Sequence, residues 1–436
     1  MIVNFIELAK MSLDERTHLY RRSGVDLMDL ISEVTPLVDL VRKQGDQAVQ
    51  TLTKRFDGVD MAPSQFRVKA EEIDKAVDEI SEDLLKALQV SITNIRKFHE
   101  CQIEPSSWET TIIPGLVTGE KVFPIPSVGL YIPRGKGSFP SIMMMAAVPA
   151  RVAGVERIVA VTPPDRNGRA DKATLAAARL VGIEEIYAIG GVQAIAALAF
   201  GTRTIQKVDK IVGPGSGYVL AAKQVVATQV DIGLPAGPSE AIILADETTD
   251  PVTAVTDLLI EAEHGADSCA YLVTTDTSVA RRALDLIPRL VLELPVDRRA
   301  FCQEVFRSNG GVVLAGDIND AVDFINGFAP EHLQILTKNP RETFGRIRYA
   351  GEALLGHFTP GSLANYSIGP NAILPTSGFA RTASSLSVRD FTRRMSFSMA
   401  NEDAFMNLAP HSLVIADYEG FAAHARALRH RLEMKH

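Results

Sequence analysis

The sequence predicts an α/β protein built on two parallel sheets, and three observations lead to this class. The chain has 436 residues, 46% of them hydrophobic, which is enough for two or three cores. From Val128 onward, short β-rich runs alternate with segments of helical periodicity. Glycine-rich turns separate these runs. Regular alternation of strands and helices builds parallel sheets that are covered by helices.

Residues 1 to about 110 are predicted to be helical. Apolar side chains recur at steps of three and four, first within 27–41 and then within 73–88. We expect residues 1–23 to form a helical N-terminal segment. No grouping of reactive side chains in this region indicates chemistry.

The alternating pattern becomes regular in the next hundred residues. The predicted elements are a strand at 128–132, a helix at 139–152, a strand at 157–162, a helix at 172–180, a strand at 185–189, a helix at 192–200, a strand at 210–212 and a helix at 217–227. This order is typical of nucleotide-binding architecture.

Three glycine-rich turns follow predicted strands here, at 133–137, 190–193 and 213–217. Helix N-terminal amides at such turns admit an anionic ligand. None of the turns is a G-x-G-x-x-G with an acidic residue at the expected distance, so the ordinary dinucleotide fingerprint is absent. Tight turns without a ligand explain the pattern equally well.

A second sheet, in a separate domain, is predicted after a Gly- and Pro-rich loop at 231–240. Ser239 in this loop either presents a hydroxyl to a cleft or closes a turn. The predicted elements are a strand at 241–245, a helix from its cap at Asp250 and first-turn Pro251 to Gly265, a strand at 270–274 and a helix at 279–292.

Glu261 and His264 lie three residues apart at the end of this helix and therefore on one face. A carboxylate and an imidazole at this spacing can bind one metal ion. A solvated helix end with a histidine near its C-terminal dipole is the alternative.

Glu331 and His332 are adjacent and follow Pro330. Neighbouring carboxyl and imidazole groups can serve as acid and base in proton transfer, whereas the structural alternative is a capped helix start. The stretch 358–378 has the small, polar composition of functional loops. A last helix is predicted at 419–432, and its apolar face docks on its own chain or on a partner subunit.

Charge and cysteine content exclude several classes of protein. The net charge is −8 and the charges are mixed along the chain, so we expect no nucleic-acid or anionic-membrane partner. Three widely spaced cysteines without a C-x-x-C favour a reducing compartment, and residues 1–7 lack a basic, apolar leader. We therefore expect a cytoplasmic protein without a membrane segment.

Seven stretches, taken in order, resemble those of the histidinol dehydrogenase family. They are 128–133, 190–202, 208–215, 235–240, 262–265, 329–333 and 374–376. The resemblance covers nearly the whole chain. It implies a zinc- and NAD-dependent homodimer that oxidises L-histidinol to L-histidinaldehyde and then to L-histidine.

The resemblance also implies two parallel-sheet domains of an incomplete Rossmann-like type. It places a first α/β domain at 24–127 plus 242–385, a second on the NAD side at 128–241, and a helical tail at 386–436 that docks on the partner subunit.

Site residues are carried over from the family by position. NAD contacts fall on Tyr131, Gln193 and Ser216, the last usually asparagine in the family. One zinc ion per subunit would be held by Glu261, His264, Asn365 and His424. Substrate contacts fall on this set together with Ser239, Glu331, His332 and Glu419. His424 and Glu419 would come from the partner's tail. His332 would take the hydroxyl proton and Glu331 would activate water for the aldehyde step.

Two departures from the family pattern bear on the substrate. The family has glutamine and aspartate where this chain has Glu261 and Asn365, so that the carboxylate and the amide have traded places at the same total charge. Arg134 and Lys136 replace an uncharged, more glycine-rich turn and could hold an anionic group. Two alternatives therefore stand beside histidinol oxidation: oxidation of another small polar or anionic alcohol, such as a sulfonated diol, and a non-catalytic ligand-binding paralogue.

Overall fold

The computed structural model describes residues 1–20, 22, 27–134 and 137–434. It divides into two compact units. The first, which we call the main unit, comprises Met1–Gln102 and Ile125–Phe391. The second, which we call the tail unit, comprises Ile103–Pro124 and Thr392–His436.

The strands of the described residues are numbered in chain order. They are β1 (Asn4–Glu7), β2 (Ser107–Ile113), β3 (Leu116–Pro124), β4 (Ser127–Tyr131), β5 (Arg157–Val161), β6 (Glu185–Tyr187), β7 (Lys210–Val212), β8 (Glu240–Ala245), β9 (Cys269–Thr274), β10 (Gly310–Leu314), β11 (His332–Ile335), β12 (Glu352–Leu355) and β13 (Thr392–Ala400).

The α-helices are numbered in the same way. They are α1 (Leu13–Leu19), α2 (Leu27–Gln44), α3 (Asp46–Phe56), α4 (Ala70–Ala76), α5 (Glu82–Glu100), α6 (Pro140–Ala153), α7 (Lys172–Val181), α8 (Gly191–Phe200), α9 (Gly217–Val226), α10 (Pro251–Ala262), α11 (Thr277–Val291), α12 (Val296–Ser308), α13 (Ile318–Phe328), α14 (Pro340–Phe344), α15 (Gly361–Tyr366), α16 (Glu402–Tyr418) and α17 (Ala422–Glu433).

The main unit contains two parallel sheets, which confirms the predicted α/β class. The larger sheet has the order β1-β10-β9-β8-β11-β12, and the smaller has the order β6-β5-β4-β7. All pairings in both sheets are parallel. Strands such as β8 and β9 are buried along their whole length, as parallel strands covered on both faces must be.

The smaller sheet follows the predicted alternation closely. All eight elements predicted between 128 and 227 are present, with ends shifted by no more than two residues. Buried side chains of α2, α3 and α5 share one hydrophobic core with β4, β5 and the helices α6 to α9. The strong apolar periodicity of the N-terminal helices therefore reflects packing on this sheet.

This packing differs from the grouping that we expected, in which residues 24–127 belong with 242–385. The core of the larger sheet is formed mainly by residues from 242 onward, with Leu8 added from the N-terminal segment. Helical periodicity shows that a helix has an apolar face, but it does not show which sheet that face covers.

The segment 1–23 is helical only in part, since it begins with β1. This short strand pairs in parallel with β10, from Asn4 opposite Gly311 to Glu7 opposite Leu314. Four residues are too few to show a period of two, and the partner strand lies some three hundred residues further along the chain. Among the described residues of this segment, α1 is the only α-helix of the kind we expected.

The tail unit consists of an antiparallel sheet, in the order β13-β3-β2, and two helices. The expected helix at 419–432 is α17, which begins at Ala422 rather than at Glu419. Glu419 is instead the C-cap residue of α16, because Gly420, at φ 76°, reverses the chain after it. Among the described residues, no helix has the length and apolar character needed to cross a bilayer.

Candidate functional site

A cavity of about 270 Å³ lies in the main unit between the C-terminal ends of strands of the smaller sheet and the N-terminal ends of strands of the larger sheet. The smaller sheet contributes residues that follow strand C-termini, namely Pro133 and Arg134 after β4 and Pro214 to Ser216 after β7. The larger sheet contributes residues at the starts of its strands. These are Ser239 before β8, Ser268 before β9, and Glu331 and His332 at β11.

Glu261 enters this cavity from the last turn of α10. The helix begins as predicted, with the Asp250 carboxylate accepting hydrogen bonds from the amides of Val252 and Thr253 and with Pro251 in its first turn. It ends at Ala262, three residues before the expected end at Gly265. Arg298 Nη1 donates to the Glu263 carbonyl at 3.0 Å, so a side chain satisfies this carbonyl at the helix end.

His264 lies just beyond the helix but remains beside Glu261. Its backbone amide donates to the Glu261 carbonyl at 3.2 Å, so the chain keeps one further helical turn. His264 Nδ1 lies 2.8 Å from the Ile260 carbonyl oxygen and 3.3 Å from Glu261 Oε2. Because a carbonyl only accepts, Nδ1 carries the hydrogen and Nε2 is left to bind a ligand.

Asn365 and Ser239 complete the surroundings of the Glu261 carboxylate. Asn365 Nδ2, on α15, donates to Glu261 Oε1 at 3.1 Å, and the Ser239 hydroxyl is also hydrogen bonded to this carboxylate. Burial disfavours the charged carboxylate of Glu261 and by itself would raise its pKa. The fields of His332 and His264, together with these two hydrogen bonds, outweigh burial and hold the pKa of Glu261 below its ordinary value.

His332 and Glu331 lie at the start of β11 and are each only 7% exposed. They follow a left-handed residue, Ala329 at φ 53°, which ends α13. The alternative of a capped helix start is therefore wrong, because the segment joins a helix end to a strand. His332 Nε2 lies 3.8 Å from Glu331 Oε1 and 3.9 Å from Glu261 Oε1.

Sequence reasoning missed Glu352, whose Oε1 lies 2.6 Å from His332 Nδ1. This contact is made across the sheet, since His332 of β11 stands opposite Glu352 of β12. A single glutamate in a short edge strand carries no motif. Only the strand register could have revealed it.

The pKa values of the two buried groups are shifted strongly. Burial is the main reason that the pKa of Glu331 lies well above its ordinary value. Burial disfavours the imidazolium of His332, but the carboxylates of Glu261, Glu331 and Glu352 outweigh it and raise the pKa of His332 to about 10. In the free site, His332 therefore holds its proton more tightly than an ordinary histidine does.

A buried ion pair between Arg22 and Glu240 lies next to Glu331. Glu331 Oε2 accepts a hydrogen bond of 2.8 Å from the Glu240 amide. The Glu240 carboxylate in turn lies 2.5 Å from Arg22 Nε and accepts from the Ser377 amide at 2.7 Å. This network attaches the N-terminal segment to the starts of β8 and β11.

The three expected NAD contacts fall in two places. Ser216 lines the cavity at the N-terminus of α9. Tyr131 and Gln193 are buried outside the cavity, at the N-terminus of α8. Tyr131 Oη accepts from the Gly191 amide at 3.1 Å, Gln193 Nε2 donates to Asp57 at 3.2 Å, and Gln193 Oε1 is buried without a hydrogen-bond partner.

The remaining candidate residues lie outside this cluster or outside the described residues. Glu419 and His424 are exposed in the tail unit, with the His424 ring centroid 5.2 Å from that of Phe421. Arg134 lines the cavity, but its guanidinium donates to the Arg169 carbonyl at 2.8 Å. Lys136 lies outside the described residues.

The main unit brings together one carboxylate, one imidazole and one amide as possible metal ligands, from Glu261, His264 and Asn365. Within the described part of the chain, no three or more His, Cys, Asp or Glu side chains form a metal-binding group. An ion at this position would therefore need a further ligand from outside the main unit or from the substrate.

The fold and the buried carboxylate and imidazole cluster define an α/β oxidoreductase once they are compared with known proteins. The family model for histidinol dehydrogenase matches residues 20–432. A histidinol dehydrogenase from Synechocystis sp. is 45% identical over 430 residues, which cover 99% of each chain. The chain therefore belongs to the histidinol dehydrogenase family.

Two further comparisons describe the spread of its relatives. A protein of Rhizobium meliloti named a histidinol dehydrogenase homolog is 46% identical over 427 residues, 98% of this chain and 94% of its own. The crystal structure of histidinol dehydrogenase from Elizabethkingia anophelis aligns with a TM-score of 0.90 at 35% identity, over 99% of this chain and 98% of that one. The predicted family and fold class are thus confirmed.

Proposed function

We propose that this chain is a zinc- and NAD-dependent dehydrogenase that oxidises L-histidinol to L-histidinaldehyde and then to L-histidine. The observation that carries the proposal is the cluster of Glu331 and His332 with Glu261, His264 and Asn365 around one cavity. A proton-transfer pair beside a set of oxygen and nitrogen ligands is suited to metal-assisted oxidation of an alcohol.

The donor set fits zinc. Glu261 supplies a carboxylate whose pKa is held low, and His264 has Nε2 left for a ligand because Nδ1 donates to a backbone carbonyl. Asn365 adds an amide, and we assign His424 of a second copy as the fourth ligand. Bound zinc would act as a Lewis acid that binds and orients the substrate hydroxyl.

Two of the three residues assigned to NAD, Gln193 and Ser216, have features that suit a cofactor site near strand ends. Gln193 offers a buried oxygen without a partner, and Ser216 lies at the N-terminus of α9 beside the cavity. At Gly213, φ 114°, a side chain would clash with the Tyr131 carbonyl, so glycine permits the close approach of these two strand ends. NAD would accept the hydride in both oxidations.

In the first oxidation, His332 Nε2 accepts the proton of the substrate hydroxyl. In the free site the pKa of His332 is raised by three carboxylates, one of which is Glu261. Glu261 would hold the zinc ion, and neutralising its charge would remove part of this field and lower the pKa of His332. Ser239, hydrogen bonded to Glu261, holds the carboxylate in place.

In the second oxidation, Glu331 takes a proton from the water that attacks the aldehyde. Burial raises the pKa of its carboxyl well above the ordinary value, which makes the carboxylate a stronger base than an exposed one. His332, 3.8 Å away, releases its first proton to solvent and then accepts the second proton, which leaves as the carboxylate forms.

We assign a homodimer in which the tail of one copy completes the site of the other. The tail unit exposes Val414, Ile415, Tyr418 and Phe421, and Tyr418 is 92% exposed. An apolar patch of this kind is typical of an interface. His424 and Glu419 lie beside it in sequence, and Glu419 would bind the imidazole of the substrate.

The test is the molar yield of NADH per L-histidinol consumed by the zinc-loaded protein with excess NAD. A yield near two supports the proposal, since each oxidation reduces one NAD. A yield near one limits the enzyme to the alcohol step. No NADH, with zinc bound and the dimer intact, overturns the assignment of histidinol.

Oxidation of an anionic alcohol is the second candidate, because Arg134 lines the cavity. Supplying a sulfonated diol in place of histidinol, with the same NADH readout, tests it directly. Arg134→Met should then raise KM for the sulfonated diol and leave KM for histidinol unchanged.

A further inference from the structure

We propose that Glu352 is a positioning residue that fixes the tautomer and orientation of His332. The inference deepens the proposed function, on which the catalytic role of His332 rests. It stands on the contact of 2.6 Å between Glu352 Oε1 and His332 Nδ1, in which each side chain is only 9% exposed.

The backbone holds the two side chains side by side. β11 and β12 pair in parallel with His332 opposite Glu352. The Gly351 amide donates to the Pro330 carbonyl at 2.9 Å, and the Glu352 amide donates to the Glu331 carbonyl at 3.0 Å. At Gly351 a Cβ would lie 2.6 Å from the Glu331 oxygen, so glycine permits this close approach.

The contact decides which ring nitrogen carries the hydrogen. A carboxylate only accepts hydrogen bonds, so Nδ1 of His332 is the donor. Nε2 is left without a hydrogen in the neutral ring, and it faces Glu331 and Glu261 at 3.8 and 3.9 Å. The atom that can accept a proton is therefore the atom on the cavity side.

The charge of Glu352 has a second consequence. When Nε2 accepts the substrate proton, the ring becomes an imidazolium, and the buried carboxylate behind it stabilises that charge. A buried carboxylate behind a catalytic histidine has the same two effects in other enzymes: it selects the tautomer and stabilises the imidazolium.

The test compares Glu352→Gln with a matched control, Asp257→Asn. Gln334, two residues after His332 on β11, donates to Asp257 at 2.7 Å in a buried pair. In both variants an amide replaces a carboxylate, and in both the carboxylate is one that contacts a side chain of β11. In Glu352→Gln, the new NH₂ group can donate to Nδ1 and place the hydrogen on Nε2, where it blocks proton acceptance.

We expect Glu352→Gln to lower kcat for the alcohol step by about 10²- to 10⁴-fold, with KM for substrate and NAD changed less than about threefold. Asp257→Asn should leave kcat within about threefold of the parent value, although both variants lower the melting temperature. An unchanged kcat in Glu352→Gln overturns the proposal. So does an equal loss of kcat in both variants, which indicates only a structural role.

A second readout does not depend on the substrate. The ¹⁵N shifts of labelled His332, assigned by comparison with His332→Asn and recorded at a pH high enough to give the neutral ring, report which ring nitrogen keeps its hydrogen. The parent protein and Asp257→Asn should show the Nδ1–H form, and Glu352→Gln should lose it. If the parent fails to oxidise histidinol but shows this pattern, the proposed substrate is wrong and the role of Glu352 stands. If the Nδ1–H form is absent from the parent, the role of Glu352 is refuted whatever the activity.

Discussion

The side-chain amide of Asn365 donates a hydrogen bond of 3.1 Å to Oε1 of Glu261. These are the two positions at which we expect the chain to depart from the family's ligand pattern, and their side chains are direct neighbours. One is a hydrogen-bond donor and the other an acceptor, so a glutamine and an aspartate in their places could make the same bond in the opposite direction. The exchange of carboxylate and amide is therefore local, and the proposed zinc site keeps its charge.

This relationship predicts the behaviour of a paired exchange. Glu261→Gln leaves two amides and no carboxylate in the set, so zinc affinity should fall by about 10- to 100-fold. Adding Asn365→Asp should restore most of the loss, because the carboxylate returns on the other side of the same hydrogen bond. Zinc affinity is measured by competition with a chromophoric chelator.

The control for this pair is Glu263→Gln, which removes the same charge two residues along the chain. Its zinc affinity should equal that of the parent protein. If the double variant binds zinc no better than Glu261→Gln, the two positions do not compensate each other and the metal assignment has to be revised.

The proposed division of labour between Glu331 and His332 predicts different losses in the two oxidations. His332→Asn should depress both by at least about 10²-fold, since both need a proton acceptor. Glu331→Gln should mainly impair oxidation of the aldehyde, which needs activated water. Supplying histidinol and histidinaldehyde separately measures each step. Equal losses of both steps in Glu331→Gln would contradict this division.

Local chemistry made part of the site predictable. Asp250 and Pro251 predict the start of α10. The three-residue spacing of Glu261 and His264 predicts that they lie together at its end. Each signal depends on residues within a few positions of one another. The strand and helix order between 128 and 227 was predictable for the same reason.

The parts that sequence reasoning missed depend on contacts between distant segments. Glu352 meets His332 only because β12 pairs with β11 in one register. Arg22 reaches Glu240 across more than two hundred residues. Glu352 and Arg22 belong to no local sequence pattern, so only the packed structure identifies their roles.

The buried pair of Arg22 and Glu240 should be important for stability. The two side chains are 9% and 4% exposed, and Arg22 also donates to the Phe328 and Ala329 carbonyls. Arg22→Met leaves the Glu240 carboxylate buried without its cation, so the free energy of unfolding should fall by about 3–5 kcal/mol. Urea unfolding followed by circular dichroism measures the change.

Arg307→Met serves as the control for Arg22→Met. Arg307 pairs with Glu304 on the surface, where the side chains are 66% and 40% exposed. Arg307→Met should lower the free energy of unfolding by no more than about 1 kcal/mol. Similar losses in the two arginine variants would show that the buried pair contributes nothing beyond a surface one.

Asp57 predicts a pH dependence of stability that is unusual for an aspartate. Burial raises the pKa of Asp57 to about 6, whereas the unfolded chain has the ordinary value of about 3.9. Between these values the folded state keeps a proton that the unfolded state has lost, so the parent protein loses stability as pH rises through this window. From about one pH unit above 6, the loss is complete and the stability difference stays constant.

Asp57→Asn removes this titration, and its amide oxygen can still accept the hydrogen bond that Gln193 Nε2 donates to Asp57. The melting temperature of Asp57→Asn minus that of the parent should therefore grow from pH 4 through pH 6 and then level off. For Asp60→Asn, the same difference in melting temperature should change with pH in the opposite direction. Hydrogen bonds from Lys54 and Gln50 lower the pKa of Asp60, so its carboxylate stabilises the fold at neutral pH and loses this effect in acid. A difference for Asp57→Asn that stays constant between pH 4 and pH 6 would show that Asp57 titrates alike in the folded and unfolded chains.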